Sequence, residues 1–216
     1  MFTMLDCAKW KRYAHFRHFY DDVPCAVSLT DDIDVTDIRR AASSVGRSFY
    51  ITVLYAVSRV VNSHEEFRLR AVDKPEFEYP MPAVWDRVDP VHNIFHADSE
   101  TYSTAYTVYD PDYDKFYSLC SEDIARVKSL DGLGVPSPSN TFEASCIPWR
   151  HFTSVGASSE FYSLTPTVVW GGFRYEGNKT FMPLSITVSH ASCDGFHLAR
   201  FLCETESELK NLAGQI

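Results

Sequence analysis

The chain has 216 residues, 45% of them apolar, enough for one domain with a sizeable hydrophobic core. Its net charge of -9 argues against nucleic acid or an anionic membrane as the main partner. No apolar run is long enough to span a bilayer, and Met1-Phe2-Thr3-Met4-Leu5-Asp6 lacks the regions of a secretory signal, so a cytoplasmic protein is expected.

In chain order, an aromatic-rich helix is predicted over 9–20, with Trp10, Tyr13 and Phe16 on one face. A second begins after Asp34 and turns Val35, Ile38, Ala42 and Val45 inward. The run from Tyr50 to Val61 is apolar almost all round, and its length favours a buried helix over a buried strand. Strand-like pieces follow at 67–72, 91–96 and 103–109. Asp110-Pro111-Asp112 then opens a long helix through Phe116, Leu119, Ile124 and Val127. The glycines, prolines and serines of 129–140 make a loop. Strands return at 142–147, 165–173 and 180–189, before a final helix. With no repeat, low-complexity tract or long linker, one mixed α/β domain over 1–216 is the expectation. The cysteines Cys7, Cys25, Cys120, Cys146, Cys193 and Cys203 are scattered, with no metal-type spacing, and read as free buried thiols; no metal is expected.

The most informative stretch is His190-Ala191-Ser192-Cys193-Asp194-Gly195-Phe196-His197. Before it, Leu184, Ile186, Val188 and His190 alternate with Ser185, Thr187 and Ser189, the period of a strand with one buried face. After it, Leu198, Phe201, Leu202, Leu209 and Leu212 fall at helical spacing. Asp194 suits the cap of that helix and Gly195 the tight connection. A histidine ending a strand, with an aspartate four residues on, is a candidate general base near neutral pH. The plainer alternative is a hydrogen-bonded histidine beside a helix cap.

The block His190-Ala-x-x-Asp194-Gly195-Phe196-His197 resembles the active-site signature of the chloramphenicol acetyltransferase family. The likeness continues in order along the chain: Trp10-Lys11-Arg12, His15-Phe16, Phe49-Tyr50, Phe67-Arg68, Trp85-Asp86-Arg87-Val88-Asp89-Pro90, Phe95-His96, Glu100-Thr101-Tyr102-Ser103, Ser145-Cys146-Ile147-Pro148-Trp149 and Met182-Pro183-Leu184. It implies a mixed β-sheet sandwich with helices, of the CoA-dependent acyltransferase type. It also implies direct acetyl transfer from acetyl-CoA to the primary hydroxyl of chloramphenicol, and a homotrimer with sites between subunits.

By that resemblance His190 is the base and Ser145 the donor to the oxyanion. Asp194 forms a salt bridge with Arg12 that fixes the histidine loop, and points away from the imidazole; His197 serves packing or a local hydrogen bond. Phe19, Cys25, Tyr102, Val155 and Val169 match acceptor-pocket positions, with His190 of one chain facing a pocket, Cys25 included, built by its neighbour. Tyr50, Trp149 and Phe173 match the CoA channel. Gly171-Gly172-Phe173 stands where the family commonly has Gly-Lys-aromatic, and Arg174 is the candidate replacement for that lysine. The acceptor side departs most: Val155-Gly156-Ala157-Ser158-Ser159 is smaller and more polar than the usual apolar wall, and Val169 replaces a common threonine. Two other readings follow, the same chemistry on a different hydroxyl acceptor, or a catalytically silent trimeric binding module.

Overall fold

The computed structural model describes residues 1–130, 132–134, 137–156 and 163–216. Its centre is a seven-stranded mixed sheet. Six strands lie side by side in the order β2 (Ala26–Asp34), β10 (Lys179–Ser189), β8 (Thr167–Gly171), β7 (Thr141–Ile147), β5 (Asp89–His96) and β6 (Thr101–Tyr106), and β9 (Arg174–Glu176) pairs with β10. The pairs β5–β7 and β7–β8 are parallel and the rest antiparallel. A separate three-stranded sheet has the order β1 (Phe2–Met4), β4 (Met81–Trp85), β3 (Leu69–Val72).

The helices are α1 (Tyr13–Arg17), α2 (Thr36–Ser44), α3 (Phe49–Ser63), α4 (Tyr113–Val127) and α5 (Gly195–Ala213). Helix α3 packs against α2, α4 and α5, and α5 also packs against β2 and β10. Its burial on nearly all sides explains why α3 is apolar all round. Its buried hydroxyls are satisfied on the helix itself: Thr52 donates to the Ser48 carbonyl at 2.9 Å and Ser58 to that of Leu54 at 2.7 Å. Met182, Leu184, Ile186 and Val188 of β10 join Val168 and Trp170 of β8 in the same core. This is the mixed α/β sandwich expected.

Several local expectations change. Residues 9–12 form turns, and α1 runs only from Tyr13 to Arg17 before widening into a single broader turn, His18–Asp22. Val45 lies just past the end of α2 and is 53% exposed, not inward. The first of the three early strands begins at Leu69 after a short 3-10 turn, Glu65–Phe67. Strand β10 is covered on both faces, so Ser185 and Ser189 are buried as well as Leu184 and Val188. Among the cysteines Cys203 is exposed, and only Cys120 and Cys193 are buried.

Strand β2 was not foreseen, because Asp31-Asp32 and Asp34 read as solvated polar chain. Neighbouring groups satisfy Asp32 and Asp34 instead. Asp32 meets His151 at 2.8 Å and Arg174 at 3.0 Å, while Asp34 accepts from Thr36 and pairs with Lys179. Strand β4 was obscured by Pro82, a residue rare in the middle strand of a sheet.

A buried hydrogen-bonded line links α4 to α3. Thr107 donates to the Asp123 carboxylate at 2.9 Å, so His92 Nε2–H donates to Thr107 at 3.1 Å and Nδ1 accepts from the Tyr50 hydroxyl at 3.0 Å. Burial lowers the His92 pKa from 6.5 to about 4, which keeps the ring neutral. The unfolded chain therefore binds a proton that the folded chain refuses between those values. His92 contributes its full stability above about pH 6.5 and loses it as pH falls toward 4, a span of roughly 3 kcal/mol. Melting temperature should fall as pH drops through this window, and less steeply in His92→Gln. Parallel curves for the two proteins would show that another group carries the effect.

Candidate active site

The turn between β10 and α5 presents His190. Its backbone N–H donates to the Cys25 carbonyl at 2.9 Å, which anchors it to the segment entering β2. The ring Nδ1 lies 2.9 Å from the Cys193 carbonyl. A carbonyl only accepts, so Nδ1 carries the proton and Nε2 is left as the basic nitrogen. Phe19 stacks on the imidazole, with centroids 3.9 Å apart and planes at 16°. The brace of His190 is thus a main-chain carbonyl and an aromatic face.

Asp194 does different work. It caps α5, accepting from the Phe196 N–H at 3.2 Å, and its second oxygen pairs with Arg12 at 2.8 Å. His197 closes over the cap, with its Nδ1 2.8 Å from an Asp194 carboxylate oxygen and 3.1 Å from the Asp194 main-chain nitrogen. Burial alone would raise the Asp194 pKa, but the hydrogen bond from Arg12, with the charges of His197 and Arg12, outweighs it and holds the carboxyl below its usual range.

Ser145 lies elsewhere, on β7, opposite Val169 of β8, which is in turn opposite Ser185 of β10. His190 is five residues beyond Ser185 along β10. At ordinary strand dimensions that places it roughly 17 Å along and two strand spacings (about 10 Å) across from Ser145. The expected site residues therefore fall into two groups. His190, Phe19, Cys25, Arg12 and Asp194 gather at the β10–α5 junction. Ser145 and Val169 lie far along the sheet, and Tyr102 faces Phe95 near the end of β5. The main chain of Cys25 thus stands beside His190 of the same chain. Val155 is half-buried beside undescribed residues; Ala157, Ser158 and Ser159 of the altered wall lie outside the described residues.

Beside the Ser145 group opens a cleft of about 520 Å³ lined by Tyr50, Trp149 and Phe173, the three residues matched to the CoA channel. Trp149 is held edge-on to Phe95 at 4.6 Å. The double glycine makes room for this wall. A Cβ on Gly171 would come within 2.6 Å of Phe152, and one on Gly172 within 2.9 Å of the Pro148 carbonyl. Arg174 is turned away onto Asp32 and Glu176 and does not line the cleft. Arg39 of α2 does, with its guanidinium 4.7 Å from the Phe173 centroid, and Lys128 stands on the same wall. Sequence reading missed both, along with Asn93, whose Nδ2 is 3.4 Å from Ser145 Oγ. Among the described residues no cluster fit for a metal ion is present, and no helix is long and apolar enough to cross a membrane.

The architecture is that of CoA-dependent acyltransferase cores. Superposition on a dihydrolipoamide acetyltransferase of Azotobacter vinelandii gives a TM-score of 0.64 at 13% identity, covering 93% of this chain and 87% of that one. A solved chloramphenicol acetyltransferase fits more closely, with a TM-score of 0.84 at 24% identity over 97% of this chain and 100% of the other. At such identities these likenesses concern the fold alone. Sequence takes the second step. The family model for chloramphenicol acetyltransferase matches residues 1–206. The chloramphenicol acetyltransferase of Clostridium butyricum is 35% identical over 209 residues, 95% of this chain and 93% of that protein. That of Campylobacter coli is 34% identical over 212 residues, 96% and 98%. The chain belongs to the chloramphenicol acetyltransferase family.

The Arg12 and Asp194 side chains keep 24% and 37% of their exposure, so the large penalty of a severed buried pair does not apply. Asp194→Asn and Arg12→Val should each cost about 1 kcal/mol, a fall of about 2–4 °C in melting temperature, together with a loss of activity. Undiminished melting temperature beside a large activity loss would instead mark Asp194 as a participant in the chemistry.

Proposed function

We propose that the protein is a cytoplasmic, acetyl-CoA-dependent O-acetyltransferase that esterifies the primary hydroxyl of chloramphenicol, with residues 1–216 as one acetyltransferase domain. Acetyl-CoA supplies an activated acetyl group as its thioester. His190 Nε2 takes the proton of the acceptor hydroxyl as its oxygen bonds to the acetyl carbon, and returns it to the departing CoA sulfur. Ser145 donates to the oxygen on which negative charge develops. One such donor is worth roughly two to three powers of ten in turnover. Holding both substrates in line contributes up to roughly 7–11 kcal/mol in favourable cases.

The cleft fits CoA in its chemistry. Phe173 offers a ring for the adenine, Tyr50 and Trp149 line the path toward Ser145, and the cations Arg39 and Lys128 stand ready for phosphate oxygens. On the acceptor side Phe19, Cys25, Tyr102, Val155 and Val169 are assigned to the wall around the antibiotic.

The observation that carries the reading is the separation of His190 from Ser145. With the two so far apart along one chain, the reading supposes that they meet on one substrate across two copies. A second copy supplies the missing half, and a closed three-fold ring of copies, each presenting two different surfaces, gives three complete sites. A homotrimer is therefore part of the proposal. The apolar Val169 beside Ser145 favours, as the second reading, the same chemistry on another hydroxyl compound. A silent binding module accounts neither for the freed Nε2 of His190 nor for Ser145 beside the cleft-lining Asn93.

Two inactive variants test the split site. His190→Ala should lower turnover with chloramphenicol by about two to four powers of ten without loss of fold. Ser145→Ala should lower kcat more than it raises KM, since its hydrogen bond strengthens as the oxyanion forms. Refolded together in equal amounts, the pair should regain activity, because about a quarter of random interfaces join an intact histidine to an intact serine. A mixture that stays inactive after subunit exchange, or a monomeric mass, contradicts the shared site. Turnover only with other alcohols selects the second reading.

A further inference from the structure

Ser145 sits between two unlike neighbours. On β8 its partner is the buried, apolar Val169, which offers its hydroxyl nothing. On β5, where His92 pairs with Ala144, the next residue is Asn93, and its amide Nδ2 donates to Ser145 Oγ at 3.4 Å. Asn93 also lines the cleft that holds Tyr50 and Trp149.

We propose that Asn93 is a positioning residue for the acetyl transfer: by donating to Ser145 Oγ it leaves the seryl O–H free and aimed at the developing oxyanion. The proposal rests on the role of Ser145 given above. A hydroxyl has one proton and two lone pairs. With Asn93 occupying a lone pair, the proton of Ser145 is not drawn to Asn93 and must find another acceptor. Val169 supplies none. Accepting a hydrogen bond also polarises the hydroxyl and strengthens it as a donor.

Asn93 is itself held from behind. It directly follows His92 on β5, and the His92 Nδ1 takes the Tyr50 proton at 3.0 Å. Tyr50 is in turn fixed by His92, Thr107 and the Asp123 carboxylate, so the amide reaches Ser145 from a strand tied to α3 and α4. Such backing is what holds a catalytic donor in its productive geometry.

The test is a two-by-two set of variants assayed by release of CoA thiol with an acceptor that supports turnover. Asn93→Ala should lower kcat about five- to tenfold, the worth of one hydrogen bond, with little change in KM for acetyl-CoA. On the Ser145→Ala background the same substitution should cost no more than about twofold, because the group it positions is already gone. Asn93→Asp keeps the shape but can only accept, so it draws the seryl proton to itself and should lose more than Asn93→Ala. An equal loss on both backgrounds, or an Asn93→Asp protein with full kcat, overturns the proposal and leaves the Ser145 assignment standing. A Ser145→Ala protein with full kcat overturns both.

Discussion

The pairing of β10 is the constraint on which the rest of this structure depends. Nine consecutive residues of β10, Phe181 to Ser189, are matched to β2, and Leu184 to Thr187 are matched on the other edge to β8. A strand held on both edges cannot slip without turning its core face outward. Met182, Leu184, Ile186 and Val188 are therefore committed to the helices, and His190 is delivered to one fixed point at the strand end. The same register, carried through Val169, fixes Ser145 far from that point. Separation of His190 from Ser145 is a consequence of the sheet, and in the proposed function assembly of copies is what brings the two together.

Short-range chemistry then finishes each half. At the β10–α5 junction one carbonyl, that of Cys193, sets the protonated nitrogen of His190, and Phe19 sets the plane of the ring. Asp194 is spent on the helix cap and on Arg12, so it orders the loop without touching the imidazole. In the other half, the buried line from Asp123 to Tyr50 stiffens the cleft wall beside Ser145.

Much of this was legible in the chain itself. The alternation of 184–190 followed by helical spacing located the strand end that carries His190, and Asp194 was readable as the cap of the helix that follows. The apolar run ahead of Ser63 announced α3. What escaped has physical reasons. β2 hides behind its aspartates, because the partners of Asp32 and Asp34 include His151, Arg174 and Lys179, all remote in sequence. Arg39 belongs to the cleft only because α2 packs over Phe173, a contact between segments more than a hundred residues apart. The Cys193 carbonyl that sets the histidine tautomer has no side-chain signature at all. The placement of Cys25 beside His190 of the same chain follows from one main-chain hydrogen bond that no pattern of side chains encodes.

The central claim is that the reacting site is completed by two copies of the chain. The most direct measurement is a crystal structure of the assembled protein with CoA and chloramphenicol bound. The account predicts His190 Nε2 of one copy at hydrogen-bond distance, about 2.8 Å, from the acceptor hydroxyl, with Ser145 of the partner subunit on the acetyl side of the same ligand pair. Ligands lying against His190 and Ser145 of one and the same chain, or bound away from every contact between copies, would contradict it.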